Sequence, residues 1–271
     1  MYPEILRIGN FVISSYGVMV AIAFLVATII AEKEWKRKNL DIRDFNNIFI
    51  IALISAIIGS KLLFVFENYS FKEIVKSPFE ILLSRAGFTY YGGFLGALFC
   101  VIIYLKIKKI KILKVGDIFS PSLAIGYSIG RIGCFLVGDD YGRPTNSFLG
   151  IAFPKGSPPT YAGSLRENFG DIINIPEEIP DDALLKVWPT QIFEVITMFI
   201  VFLILFRLKD KLKEGKLFGL YLLLSGLERF LIEFLRMTTR SFIKFLSVAQ
   251  IIAIFIIISG IIILWKRSRE H

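Results

Sequence analysis

The sequence predicts an all-α fold: a polytopic integral membrane protein of about seven transmembrane helices, with the N-terminus outside and the C-terminus in the cytoplasm. Three observations predict it. Apolar runs near 20 residues recur at about 11–31, 47–66, 88–105, 118–138, 190–208, 217–235 and 246–265, the length a helix needs to cross a hydrocarbon core. The 271 residues are 55% hydrophobic and include 26 Phe, with mean hydropathy +0.64, more than a soluble domain carries. Lysine and arginine gather in every second loop, which is the topology signal of the cytoplasmic side.

The first run, 11–31, is preceded only by Arg7 and followed by Lys33, Lys36, Arg37 and Lys38. Those flanks are the reverse of a secretory signal peptide, so the run reads as a span entering from outside. The second and third runs are joined by an external segment, 67–87, with an amphipathic piece around Phe71–Leu83. Five lysines in loop 106–117 return the chain to the cytoplasm. The fourth run carries Arg131 and ends at an external insert, about 139–189, rich in Pro, Gly and acidic residues. A loop of that length is either functional or disordered. Between the fifth and sixth runs, loop 207–216 carries one arginine and four lysines, and Lys266, Arg267 and Arg269 follow the seventh. There is no internal repeat. The chain reads as a single transmembrane domain, 1–271, with one external insert.

Composition also excludes. The net charge of +9 follows the membrane topology instead of forming one basic face, so no nucleic-acid partner is expected. Cys100 and Cys134 lie toward opposite membrane faces, more than about 10 Å apart in depth and beyond disulfide reach. The only histidine is His271, which rules out a histidine metal site or a histidine base. No cofactor and no metal is expected.

With the topology set, a rise of about 1.5 Å per residue assigns depths. Tyr16 and Lys61 lie about 8 Å below the outer ends of the first two spans, and Tyr90 and Tyr91 about 5 Å into the third. Arg131 lies about 10 Å down the fourth, Gln191 and Glu194 within about 6 Å on the fifth, and Arg229 and Glu233 about 9 and 3 Å down the sixth. Six helices therefore bring polar groups to the outer third of the membrane. A charge within a span costs roughly 3 kcal/mol on insertion scales and normally faces a wet, protein-lined cavity. Arg229, Glu233 and Arg236 follow helical i, i+4 and i, i+3 spacing, which predicts one shared face with the carboxylate between two guanidiniums. Arg131 is expected to face Arg229, and two such cations call for an anion; a phosphate matches guanidinium forks. The glycines at 92, 93, 96, 126, 130 and 133 permit close helix approach, and Gly92-Gly93 also suggests a helix broken around a site.

Several short motifs carry a family likeness. They are Ser15-Tyr16-Gly17, Tyr91-Gly92-Gly93-Phe94-Leu95-Gly96, Asp117, and Gly130-Arg131-Ile132-Gly133 followed by Gly138-Asp139 and Tyr141-Gly142-Arg143-Pro144-Thr145. Pro189-Thr190-Gln191 with Glu194, Gly226 with Arg229-Phe230, Glu233 and Arg236, and Ser247 with Gln250 complete the set. In these residues the chain resembles the prolipoprotein diacylglyceryl transferase family. The Gly-Arg-Ile-Gly block with its downstream Tyr-Gly-Arg-Pro-Thr is specific, whereas the Tyr-Gly-Gly stretch alone is weak.

The resemblance implies a multi-pass protein of the bacterial cytoplasmic (inner) membrane. Its implied reaction moves the diacylglyceryl group of phosphatidylglycerol to the lipobox cysteine of a prolipoprotein signal peptide, the first step of lipoprotein maturation. It implies a catalytic set of Arg131, Arg229, Tyr91 and Glu233, with Tyr16, Arg131, Cys134, Asp139, Gly142, Arg143, Glu194 and Arg236 binding substrate. Arg131 and Arg229 would hold the phosphate, and Glu233 with Arg236 would orient Arg229. Membrane lipids are the remaining partners. The chain departs from the family pattern where Tyr91 and Trp188 replace histidines, Cys134 and Val137 replace asparagines, Asp139 replaces a glutamate and Ser225 a tyrosine. A tyrosine hydroxyl is a poor base but a good donor, so Tyr91 is expected to donate to phosphate or glycerol oxygens. Because these changes alter the headgroup wall, two readings stay open beside the main one: a related transferase with a different lipid donor or acceptor, and a non-catalytic phospholipid-binding relative.

Overall fold

The computed structural model describes residues 3–8, 11–70, 73, 76, 77, 81, 89–238 and 245–269. Seven long helices lie in the seven apolar intervals: α1 (Ser15–Arg37), α2 (Ile42–Asn68), α3 (Tyr90–Ile107), α4 (Ile112–Val137), α6 (Thr190–Leu208), α7 (Lys216–Ile232) and α8 (Val248–Arg269), with a short α5 (Ala162–Phe169) in the insert. Four of them, α1, α2, α6 and α8, are long and apolar enough to cross a membrane. Phe24, Leu25 and Ile29 on α1 and Leu53, Ile54 and Ile57 on α2 are exposed, as side chains facing lipid are.

The start of the first run differs from expectation. Residues 11–14 form strand β2 (Phe11–Ser14), paired antiparallel with β1 (Glu4–Ile8), with Arg7 opposite Val12 and Ile8 opposite Phe11. The run Phe-Val-Ile-Ser is aromatic and β-branched, and such residues favour a strand once a partner is at hand. Ser15 then opens α1, its backbone N–H and its hydroxyl both donating to Pro3 O. This ribbon is the only sheet among the described residues.

The chain divides into two compact units, residues 32–115 and residues 1–31 with 116–271. In the first, Asp41 caps α2 by accepting from the Arg43 N–H at 2.9 Å, and buried Trp35 packs on Phe45. Helices α2 and α3 touch backbone to backbone: a Cβ on Gly92 would meet Gly59 O at 2.4 Å. Helix α3 runs unbroken from Tyr90 to Ile107, so Gly92-Gly93 serves that contact and does not mark a helix break. The Ser60 hydroxyl donates to Thr89 O at 2.7 Å at the same contact. The amphipathic piece expected around Phe71–Leu83 falls largely outside the described residues.

In the second unit, α4 carries Pro121 inside the helix, and Asp117, one turn from its start, reaches across to α7. The Asp117 carboxylate accepts from the N–H groups of Gly215 at 2.5 Å and Phe218 at 2.7 Å. It thereby satisfies donors that a helix N-terminus leaves open. The insert is ordered around its own core of Tyr141, Phe153, Ala162, Leu165, Ile175 and Val187. Tyr141 stacks on Phe153 at 5.4 Å and donates its hydroxyl to Pro158 O at 2.6 Å. Arg166 of α5 donates to the carbonyls of Ile175, Pro176 and Ile179 and pairs with Asp181. Of the two alternatives for a loop of this length, disorder is set aside.

Candidate active site

The site grows out of a helix seam. Ala124 of α4, Met198, Val201 and Leu205 of α6, and Leu217 of α7 are buried together, with Tyr127, Tyr221 and Leu224 packed against them. Residues three and four apart share a helix face. One turn further along these same faces stand Arg131 after Tyr127, Glu194 before Met198 and Glu228 after Leu224. The apolar seam thus ends in a polar floor built from three helices.

Arg131 is the centre of that floor. Its Nη1 donates to Asp140 Oδ2 at 2.7 Å and its Nη2 lies 3.1 Å from Glu194 Oε1. The guanidinium sits 5.1 Å over the Tyr127 ring, and the Tyr127 hydroxyl donates to Glu194 Oε1 at 3.0 Å. Arg236 donates to the other oxygen of Asp140, and its Nη1 lies 3.9 Å from Glu194 Oε1. Glu194 is fully buried, so its charge is matched by two guanidiniums and a hydroxyl.

Arg229 pairs with Glu233 at 2.7 Å. Glu233 is buried and accepts the Ser247 hydroxyl at 2.7 Å. Ser247 also accepts from the Gln250 N–H at 3.1 Å while Gln250 Oε1 accepts from the Ser247 N–H at 3.0 Å, a reciprocal capping box that starts α8.

One sequence expectation about this face changes, while Arg131 is joined to Arg236 through Asp140 and Glu194. Helix α7 ends at Ile232, so Glu233 occupies the following turn and Arg236 pairs with Gly142 in an antiparallel bridge. The helix stops because this chain joins a backbone ladder: Arg143 N donates to Leu235 O at 2.8 Å, and Gly142 N to Trp188 O at 2.8 Å. Arg236 still lies 4.0 Å from Glu233, so the expected order of charges survives by a different route.

The turn after α4 presents the carboxylates. Gly138 and Asp140 both take left-handed conformations, φ 74° and 57°, and aspartate is among the few residues that tolerate one. The Thr190 hydroxyl holds Asp140 O at 2.7 Å, and the Gln191 amide holds Asp139 O. Burial pushes the Asp139 carboxyl above its ordinary value. Burial acts on Asp140 too, but the Arg236 and Arg131 guanidiniums outweigh it and hold that carboxyl below the usual range. Gly142 is required sterically, since a Cβ there would meet Leu235 O at 2.4 Å. Arg143 donates from Nε to Arg236 O at 3.3 Å.

Cys134 is buried and free, 3.7 Å from Arg131 Nη1. The donor atoms of Cys134, Asp139 and Asp140 lie within 4.8 Å of one another. That space is the one the Arg131 guanidinium reaches, so a fixed cation already serves it. Tyr16, in the first turn of α1, lies beside Gly133, where a Cβ would come 3.2 Å from Tyr16 Cα. A cavity of about 190 Å³ adjoins the cluster, lined by Asp139, Asp140 and Arg236 together with Ser157, Pro158 and Phe169 of the insert. The structure therefore gathers Tyr16, Arg131, Cys134, Asp139, Gly142, Arg143, Glu194, Arg229, Glu233 and Arg236 in one unit. Tyr91, exposed near the start of α3, belongs to the other unit.

A profile of the prolipoprotein diacylglyceryl transferase family matches residues 3–266. The chain belongs to that family. The phosphatidylglycerol–prolipoprotein diacylglyceryl transferase of Clostridium tetani is 34% identical over 265 residues, 97% of this chain and 96% of its own length. The protein named phosphatidylglycerol–prolipoprotein diacylglyceryl transferase 2 of Clostridium perfringens is 32% identical over 93% of this chain and 90% of its own. The counterpart in Finegoldia magna is 30% identical over 94% and 91%.

Within this diacylglyceryl transferase family member, two cluster residues escaped the sequence reading of the site: Tyr127 and Glu228. Both were legible in principle, because each continues its helix's apolar stripe by one turn. The carboxylate pair Asp139-Asp140 stands out in the sequence, but the reach of Asp140 to two arginines does not, because it depends on a left-handed turn.

Proposed function

We propose that this protein transfers the sn-1,2-diacylglyceryl group of phosphatidylglycerol to the lipobox cysteine thiol of a prolipoprotein. A thioether forms and glycerol 1-phosphate leaves. The carrying observation is the half-buried cluster of Arg131, Arg229 and Arg236 with acidic partners, in a chain whose relatives bear that activity in their names. All seven long helices cross the bacterial cytoplasmic membrane as one domain, N-terminus outside, with the 139–189 insert over the outer face. Arg131 and Arg229 bind the lipid phosphate and stabilise the charge that grows on it as the C–O bond breaks. Glu233 and Arg236 orient Arg229. Glu194 and Asp140 hold Arg131 and Arg236 at fixed spacing, so the donors need no rearrangement when the phosphate arrives. Tyr16, Cys134, Asp139, Gly142 and Arg143 shape the headgroup wall, and Tyr91 donates its hydroxyl to the substrate. Cys134 packs between helices and carries no lipid.

Purified protein, labelled phosphatidylglycerol and a lipobox peptide test the reading directly. Label should pass to the peptide with its cysteine and not to the same peptide carrying serine there. Lipid binding without transfer would instead support a phospholipid-binding relative.

A further inference from the structure

Glu228 is the carboxyl on the cluster's helices that the charge pairing leaves over; Asp139, in the turn after α4, also lacks an ion pair among the described residues but lies beside Cys134. Arg131 is matched by Asp140 and Glu194, Arg236 by Asp140, and Arg229 by Glu233. Glu228 is 8% exposed, and its buried Oε1 has no hydrogen-bond partner. No ion pair reaches it among the described residues. The charged and titratable groups within electrostatic reach of it are Glu194 on α6, Arg131 and Tyr127 on α4, Arg229 on its own helix, and Arg236 beyond. Glu194 also carries a buried oxygen, Oε2, without a partner. Two carboxyls on facing helices beside the same arginines cannot both be ionised cheaply. Glu194 has the guanidiniums and the Tyr127 hydroxyl to support a negative charge, and Glu228 has no such partner.

We propose that Glu228 is the general acid of the transfer, delivering its proton to the phosphate oxygen that departs from the diacylglyceryl carbon. This rests on the proposed transferase reading. The thiolate sulfur forms the new C–S bond, and the breaking C–O bond leaves its electron pair on the phosphate oxygen. Glu228 protonates that oxygen, so glycerol phosphate leaves with one negative charge instead of two. The proton lost by the thiol to the aqueous face is matched by one that Glu228 takes up afterwards. A second phosphate charge would otherwise develop in a site whose three arginines already have acidic partners.

The test uses full-length protein in phosphatidylglycerol vesicles with a lipobox peptide, comparing wild type, Glu228→Gln and Glu228→Asp in single turnover across pH. Absence of transfer by wild type would defeat the transferase reading itself. With wild type active, Glu228→Gln should lower the transfer rate by about 100-fold, leave phosphatidylglycerol affinity unchanged and abolish the alkaline limb of the pH–rate profile. Glu228→Asp should keep that limb at a shifted midpoint, which serves as the deciding measurement if the glutamine variant does not fold. A glutamine variant with wild-type rate, with an unaltered alkaline limb or with lost lipid affinity would overturn the proposal, as would an unshifted aspartate profile.

Discussion

The Ser247 hydroxyl donates to Glu233 at 2.7 Å while accepting the Gln250 N–H, so one side chain both starts α8 and fixes the carboxylate that holds Arg229. Stability and activity are therefore expected to fall together when this residue is changed. Ser247→Ala removes the N-cap and leaves Glu233 short of a donor in a buried setting. Loss of a serine cap costs about 1 kcal/mol, and a lower thermal midpoint in detergent should report it. Transfer should fall more than lipid insertion, because Arg229 loses its fixed support. Ser247→Thr, which keeps the hydroxyl, should restore both; an alanine variant with normal turnover would detach Ser247 from the site.

Arg131 and Arg229 differ in their partners, and that difference predicts different outcomes. Substituting either by Ala should abolish transfer through loss of a phosphate donor. Arg131→Ala should also destabilise the protein, since it leaves fully buried Glu194 with only Arg236 and the Tyr127 hydroxyl. Lysine at either position should remain damaging, because a point charge cannot replace the planar fork. Turnover by a labelled-lipid assay and unfolding in detergent separate the two effects, and near-normal transfer in either alanine variant would remove that arginine from the mechanism.

Much of this architecture was legible in advance for simple reasons. Apolar length placed all seven long helices, since a run near 20 residues has few other uses. Residues 11–14 misled because Phe-Val-Ile-Ser suits a strand as well as a helix, and only pairing with residues 4–8 decides between them. The insert's order was hidden because Phe153, Leu165, Ile175 and Val187 follow no single period. Arg131, Glu194, Arg229 and Glu233 stood out as charges in apolar runs. Glu228 did not, since beside Arg229 it reads as half of a local polar pair until the phase of the α7 stripe places it inside.

Tyr91 is the largest departure from the family pattern, and its hydroxyl can donate without acting as a base. A free thiol is already a few per cent thiolate near neutral pH, and a thiol bound beside the arginine cluster would be expected to ionise further. Tyr91→Phe should lower transfer by about 10- to 100-fold, the loss of one hydrogen bond to a charged group. Tyr91→His should be tolerated or faster. A dead Phe variant with unchanged phosphatidylglycerol affinity would show that tyrosine takes part in the chemistry itself.

Asp139 and Asp140 are adjacent, yet they should impose opposite pH dependence on stability. The Asp140 carboxyl titrates below its unfolded value, because the Arg236 and Arg131 guanidiniums outweigh burial. Its contribution is therefore present above the unfolded value and is lost as pH falls through the folded one. Asp139 titrates above its unfolded value because of burial, so its contribution is present at low pH and is lost as pH rises through the folded value. Asp140→Asn should flatten the acid-side fall in thermal midpoint and weaken the Arg131–Arg236 bridge, lowering transfer. Asp139→Asn should flatten the loss on the higher-pH side while keeping the Gln191 contact, which uses the backbone carbonyl. Thermal midpoints of both variants from about pH 3 to 8, spanning ordinary carboxylate titration, check the pair; identical profiles for the two variants would contradict the opposed environments.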